Sequence, residues 1–266
     1  MSKIKEKFAE LEAKNQKALI SYIMVGFPNE KATIMAVRGL VKGGADIIEL
    51  GFPFSDPIAD GPVIQNASTI SLKKGTKISK FFSIVKKIRK ETDIPLVLMT
   101  YTNILYHKGY SKFISEAKKA GIDGFILPDM SIEESKEYLK ASKTNVDTIF
   151  LISPNTSKTR IQKIAKVSTG FLYLVAVYGT TGVKTGIKNY TLKAIKNVKK
   201  QTKGKTPVGI GFGISTPKDV KKYIKAGADA VIVGSAYLKL IEKTPQNKLE
   251  SKITTFTKSL KKQTLL

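Results

Sequence analysis

The sequence predicts an α/β fold, a single (β/α)8 TIM barrel spanning residues 1–266 with extra N-terminal and C-terminal helices. Three observations predict it. Eight short apolar, β-branched runs recur along the 266 residues, stretches with helical spacing separate them, and a Gly-x-Asp pattern repeats before three of the runs. Strands without polar alternation are buried on both faces, as in a parallel sheet covered by helices, and eight such units in this length close a barrel. An open doubly wound sheet would give the same punctuation and is the competing architecture.

In chain order, Ile4, Phe8 and Leu11 share one face of an N-terminal helix that could plug the bottom of the barrel. ALISYIMV (18–25) is the first strand, and Ile34, Val37, Leu40 and Val41 mark the helix after it. ADIIEL (45–50), IPLVLM (94–99), DGFILP (123–128) and DTIFLI (147–152) are the next four strands. Pro62 opens a helix with Val63, Ala67 and Ile70 facing inward. Ile161, Ile164 and Ala165 mark another, before GFLYLVAV (170–177), TPVGIG (206–211) and DAVIVG (229–234). Leu249, Ile253, Phe256 and Leu260 predict a closing helix. The segments KGGADIIEL (42–50), KAGIDGFIL (119–127) and KAGADAVIV (225–233) echo one another. Each Gly suits a helix C-terminus, and each Asp would start a strand at the stability face of the barrel.

Composition narrows the chemistry. The chain has no cysteine, so it offers neither a disulfide framework nor a thiolate metal site, and a reducing, cytoplasmic setting is the simpler fit. His107 is the sole histidine and is read as an ordinary loop residue, which leaves no imidazole-based metal set. No apolar run reaches membrane-spanning length, and the charged N-terminus lacks the apolar stretch of a signal peptide. The formal charge of +25 rests on lysines spread through every expected helix, with only Arg38, Arg89 and Arg160 as arginines. Recognition of bases and phosphates favours clustered, planar arginine, so the reading is a solvated lysine face with no nucleic-acid partner and no membrane.

In a barrel of this kind the active site lies at the C-terminal ends of the strands. Glu49 ends the second run, flanked by Ile47, Ile48 and Leu50, where burial would raise its pKa and suit it to acid and base work. The loop FPFSDPIADGP (52–62), stiffened by Pro53 and Pro57, carries Asp56 and Asp60. Asp60 is a second candidate catalytic carboxylate, while Asp56 stands open between turn former and partner contact. Three glycine-rich loops follow the late strands: VYGTTGVKTG (177–186), GIGFGIS (209–215) and VGSA (233–236). Glycine lets backbone N–H groups approach a phosphate closely, and Ser235 would add a hydroxyl where a helix begins. Tyr22, Tyr101, Ile126, Leu151, Tyr173 and Phe212, at or near strand ends, would line a pocket for a flat apolar group.

The run IELGFPFSDPIADGPVIQNA (48–67), together with GTTG, GFGIS and VGSA, closely resembles the tryptophan synthase alpha subunit family, and the likeness covers essentially the whole chain. The resemblance implies a lyase that cleaves indole-3-glycerol phosphate to indole and glyceraldehyde 3-phosphate. It implies Glu49 as the acid/base group and Asp60 as the holder of the indole N–H. Gly182, Gly213, Gly234 and Ser235 match phosphate contacts, and Thr181 matches a threonine that meets Asp60 when its loop closes. It also implies that the chain has no cofactor of its own, pyridoxal phosphate belonging to a beta subunit that the chain would bind through loops 53–60 and 101–110 in an alpha2beta2 complex. Departures from the family pattern concern coupling: Ala176 and Val177 stand where members commonly have Ser-Arg, Thr180 where Val is usual, Phe27 where some have Asp, and Met24 where some have Thr. Lys184 could supply a substitute charge. Other phosphate-binding barrel enzymes, such as indole-3-glycerol-phosphate synthase, would use different acid/base residues. A noncatalytic binding module on the lysine surface would show salt-sensitive binding and no indole production.

Overall fold

The computed structural model describes residues 1–143, 145–175 and 189–265. Eight parallel strands close into a barrel in chain order, each paired with the next and the last with the first. They are β1 (Ala18–Met24), β2 (Ile47–Gly51), β3 (Leu96–Met99), β4 (Gly124–Ile126), β5 (Asp147–Ile152), β6 (Leu172–Val175), β7 (Val208–Gly211) and β8 (Ala230–Val233). Around them run α1 (Lys3–Ala13), α2 (Glu30–Gly43), α3 (Pro62–Lys73), α4 (Ile78–Arg89), α5 (Thr102–Lys108) and α6 (Tyr110–Ala120). The circuit continues with α7 (Lys136–Ser142), α8 (Lys158–Val167), α9 (Asn189–Thr202), α10 (Pro217–Lys225), α11 (Ser235–Lys243) and α12 (Gln246–Lys261). Closure excludes the doubly wound alternative.

The repeated Gly-x-Asp pattern has a physical explanation at the N-terminal rim. Gly44, Gly121 and Gly227 all have left-handed φ values of +88°, +108° and +101°, which glycine adopts without steric cost as the chain leaves α2, α6 and α10. The aspartate two residues on then binds across to a neighbouring strand. Asp46 accepts from Leu19 N at 2.7 Å, Asp123 from Leu96 N at 2.9 Å, and Asp229 from Val208 N at 3.0 Å. Each is also ion-paired, to Lys261, to Arg89, and to Lys17 and Lys199 respectively. Three strand pairs are thus pinned at the same rim by one motif.

The end helices are present as expected. Ile4 on α1 is fully buried against Gly124 at the start of β4, and the Phe8 ring lies 5.9 Å from that of Phe171 just before β6, so α1 covers the bottom of the barrel. On α12, Leu249, Ile253 and Leu260 are buried, and Phe256 packs edge-on against Tyr237. The buried face of α2 differs from the sequence expectation: Val41 is exposed, and Ala36, Val37, Gly39, Leu40 and Gly43 face inward. The reason is α12. A β-carbon on Gly43 would stand 2.3 Å from Thr257 Cβ, and one on Gly39 would stand 2.7 Å from Glu250 O, so the two helices meet across glycines. In α3 the buried positions are Ile64, Ala67, Ser68 and Ser71, with Val63 and Ile70 at the margin. His107 lies exposed on α5, a helix rather than the expected loop.

Candidate active site

Strand register carries the expected residues to one face. Tyr22 pairs with Glu49, Glu49 with Val97, Val97 with Gly124, and Gly124 with Asp147. Because side chains alternate, Ile126 and Leu151 share that inward face, and Leu151 pairs with Tyr173. Tyr22, Glu49, Ile126, Leu151 and Tyr173 therefore all point into the barrel.

Glu49 is 2% exposed, and its Oε2 has no hydrogen-bond partner among the described residues. Burial raises its pKa from the ordinary 4.5 to about 8, with the nearby Asp60 charge adding to the rise. Asp60 is 4% exposed, and burial raises its pKa to about 6, held back by a hydrogen bond from Tyr101. That bond runs from Tyr101 Oη to Asp60 Oδ2 at 3.0 Å, while Tyr101 Oη accepts from Ala59 N at 3.1 Å. Tyr101 thus grips the loop through both partners, and its ring stacks on Phe54 at 5.0 Å.

The loop from 52 to 61 is tied down by the helix after it. Ser68 Oγ on α3 accepts from Phe54 N and donates to Phe54 O, both at 2.8 Å, and Gln65 Nε2 donates to Asp60 O at 2.9 Å. Asp56 is exposed and takes a hydrogen bond from Ser55 Oγ, away from the buried pair.

Two strand glycines were not singled out by sequence. A β-carbon on Gly51 would stand 2.3 Å from Tyr22 Oη, and one on Gly211 would stand 2.1 Å from Tyr173 Oη. Each glycine leaves room for the tyrosine of the preceding strand to lie over it, Tyr22 from β1 over β2 and Tyr173 from β6 over β7. A glycine inside an apolar run was the available signal, since it weakens a strand unless something approaches closely.

At the ends of β7 and β8, Phe212 and Gly213 have consecutive left-handed φ values of +74° and +75°. The Phe212 conformation is strained for a residue with a β-carbon, and its ring meets Tyr173 edge-on at 6.0 Å. No described residue lies within 4 Å of where a Gly213 side chain would start. Gly234 is the N-cap of α11 and Ser235 its first residue, and glycine brings no capping side chain of its own. Orphan N–H groups at such a terminus suit an anion. Thr181 and Gly182, with Ala176, Val177, Thr180 and Lys184, lie outside the described residues. Met24 and Phe27 are each 2% exposed, so neither offers surface to a partner. No group of three or more His, Asp or Glu among the described residues is arranged to hold a metal ion.

Taken together, a buried glutamate and a buried aspartate influence each other's charge among apolar and aromatic side chains, with the glycine turn after β7 and the start of α11 at the same end of the barrel. Comparison with known proteins gives this chemistry a family. Residues 8–265 match the family model described as tryptophan synthase alpha chain. The alpha chain of Methanosarcina acetivorans is 45% identical over 97% of this chain and 93% of its own length, and that of Petrotoga mobilis is 43% identical over 98% and 99%. Among solved structures, tryptophan synthase of Mycobacterium tuberculosis superposes with a TM-score of 0.89 at 30% identity, covering 100% of this chain and 99% of that one. A chain of the Pyrococcus furiosus a2b2 complex gives 0.84 at 34% identity, over 92% and 98%. The chain belongs to the tryptophan synthase alpha chain family, lyases that cleave indole-3-glycerol phosphate to indole and glyceraldehyde 3-phosphate.

Proposed function

We propose that Glu49 is the proton carrier of this cleavage and Asp60 the anchor of the indole N–H. With its pKa near 8, Glu49 holds a proton at neutral pH and can give it to indole C3. As carboxylate it then takes the proton of the carbinol hydroxyl beside the ring. The C–C bond breaks, its electrons return to the ring, the carbinol carbon becomes the aldehyde, and the proton ledger closes on Glu49. Asp60, ionised at neutral pH, accepts from the indole N–H and stabilises the positive charge that C3 protonation puts on the ring. Tyr22, Tyr101, Ile126, Leu151, Tyr173 and Phe212 enclose the ring and chain. Gly213, Gly234 and Ser235 hold the phosphate. The observation that carries this reading is the buried carboxylate pair of unequal acidity.

The chain works without a cofactor of its own and binds a beta subunit that carries pyridoxal phosphate, forming an alpha2beta2 complex. Ile58 and Tyr106 support this: both are large apolar side chains more than 70% exposed, Ile58 in the 53–60 loop and Tyr106 on α5, the helix that occupies most of 101–110. Residues 1–266 act as one barrel domain. A cytoplasmic setting accords with the absence of cysteine, and no helix among the described residues is long and apolar enough to cross a membrane. The deciding experiment is indole release from indole-3-glycerol phosphate by wild type and Glu49→Gln, each with and without beta subunit. The wild type is expected to release indole, faster with its partner, and the variant to lose at least about 10³-fold in kcat. Cleavage retained by Glu49→Gln would refute the assignment, and no rise on adding beta subunit would refute the partnership.

A further inference from the structure

Tyr22 carries a buried hydroxyl that the fold does not use. The residue is 3% exposed, and its Oη has no hydrogen-bond partner among the described residues. Its ring lies across the C-terminal end of the barrel, from Gly234 just after β8 to Gly51 at the end of β2. Tyr22 Cδ1 is 3.2 Å from where a Gly234 β-carbon would stand, and Oη is 2.3 Å from where a Gly51 β-carbon would stand. Its register partner is Glu49, whose Oε2 is likewise unpartnered. Two orphan polar atoms therefore share one buried layer on adjacent strands, and buried polar groups are ordinarily hydrogen-bonded. Phenylalanine would fill the same space without the orphan.

We infer that Tyr22 is a specificity-determining residue whose hydroxyl donates a hydrogen bond to the middle hydroxyl of the substrate's glycerol chain. The inference rests on the proposed roles of Glu49, Asp60 and the late glycines. Under those roles the indole N–H, the reacting hydroxyl and the phosphate each have a partner, and the hydroxyl on the middle carbon is left over. Tyr22 runs from Gly234, at the phosphate end, to Gly51 above Glu49, at the proton-transfer end, and so lies alongside the part of the chain that carries that hydroxyl. A site built to bond a substrate hydroxyl discriminates strongly against an analogue that lacks it.

The test compares wild type with Tyr22→Phe in three measurements. For indole-3-glycerol phosphate, kcat/KM is expected to fall about tenfold to a hundredfold. Indole-3-propanol phosphate lacks both hydroxyls, and its dissociation constant is expected to stay within about twofold. Removing an orphan hydroxyl should leave the melting temperature of the ligand-free protein unchanged or raised. An unchanged kcat/KM overturns the inference. So does a matching loss of affinity for the deoxy analogue, which would make Tyr22 a packing residue, or a lowered melting temperature, which would give the hydroxyl a structural partner. Failure of the underlying reading is separate, because it would appear as cleavage retained by Glu49→Gln.

Discussion

Glu49 and Asp60 are the same functional group in one pocket, yet their surroundings pull them apart. Glu49 has burial and a neighbouring negative charge against it and no donor on Oε2 among the described residues, whereas Asp60 has the Tyr101 hydroxyl to favour its ionised form. Under the proposed roles the reactive form has Asp60 ionised and Glu49 protonated. The profile of kcat/KM against pH is therefore expected to be bell-shaped, rising through about 6 and falling through about 8, as apparent values of the coupled pair. Steady-state rates across this range check it, and a profile flat from 5 to 9 would contradict the assignment. Glu49 was legible in sequence because a charge at the end of an apolar run stands out. Gly51 was not, because its role depends on which residue of the neighbouring strand leans over it, and that is a matter of register. The donor that separates the two carboxylates, Tyr101, was readable only as a pocket-lining aromatic, since nothing local says which loop atom a phenol will reach.

At the scale of elements, the strands were readable because residues buried on both faces leave no polar alternation, and the aspartates of the Gly-x-Asp echo sit at the rim as expected. The α2–α12 contact was less readable. Helical spacing put Val41 in the core, but tertiary packing turned the helix so that its glycines face Thr257 and Glu250. Gly43→Ala places a β-carbon against α12 and is expected to cost roughly 1–3 kcal/mol of stability. Urea unfolding should show a lower midpoint, while kcat of the folded enzyme stays unchanged because the contact lies outside the barrel. The 52–61 loop stood out through two prolines and two aspartates, whereas its anchors, Ser68 and Gln65, looked like ordinary surface residues of a helix. A hydroxyl that both donates to and accepts from Phe54 becomes visible only when loop and helix are folded against each other.

For the molecule as a whole, the site is a burden on folding. Glu49 keeps its proton to about pH 8 in the native state and loses it near 4.5 when unfolded. Between those values the native state binds more protons than the unfolded one, so this contribution makes stability fall as pH rises. Glu49→Gln removes the effect, and at pH 8 it is expected to be more stable than wild type by a few kcal/mol, with the difference shrinking toward pH 4.5. Thermal melts of both proteins across that range measure it, and an equal slope for the two would contradict the buried-proton account. The rim opposite the site has a different consequence. Asp46, at the start of β2, is satisfied by Lys261, 215 residues further along, and β1 finds its second neighbour only in β8. During synthesis the early strands therefore wait, with one open edge and one uncovered helix, until those distant segments have left the ribosome. That interval, rather than the finished protein, is when the chain is most exposed to aggregation and has most need of a chaperone.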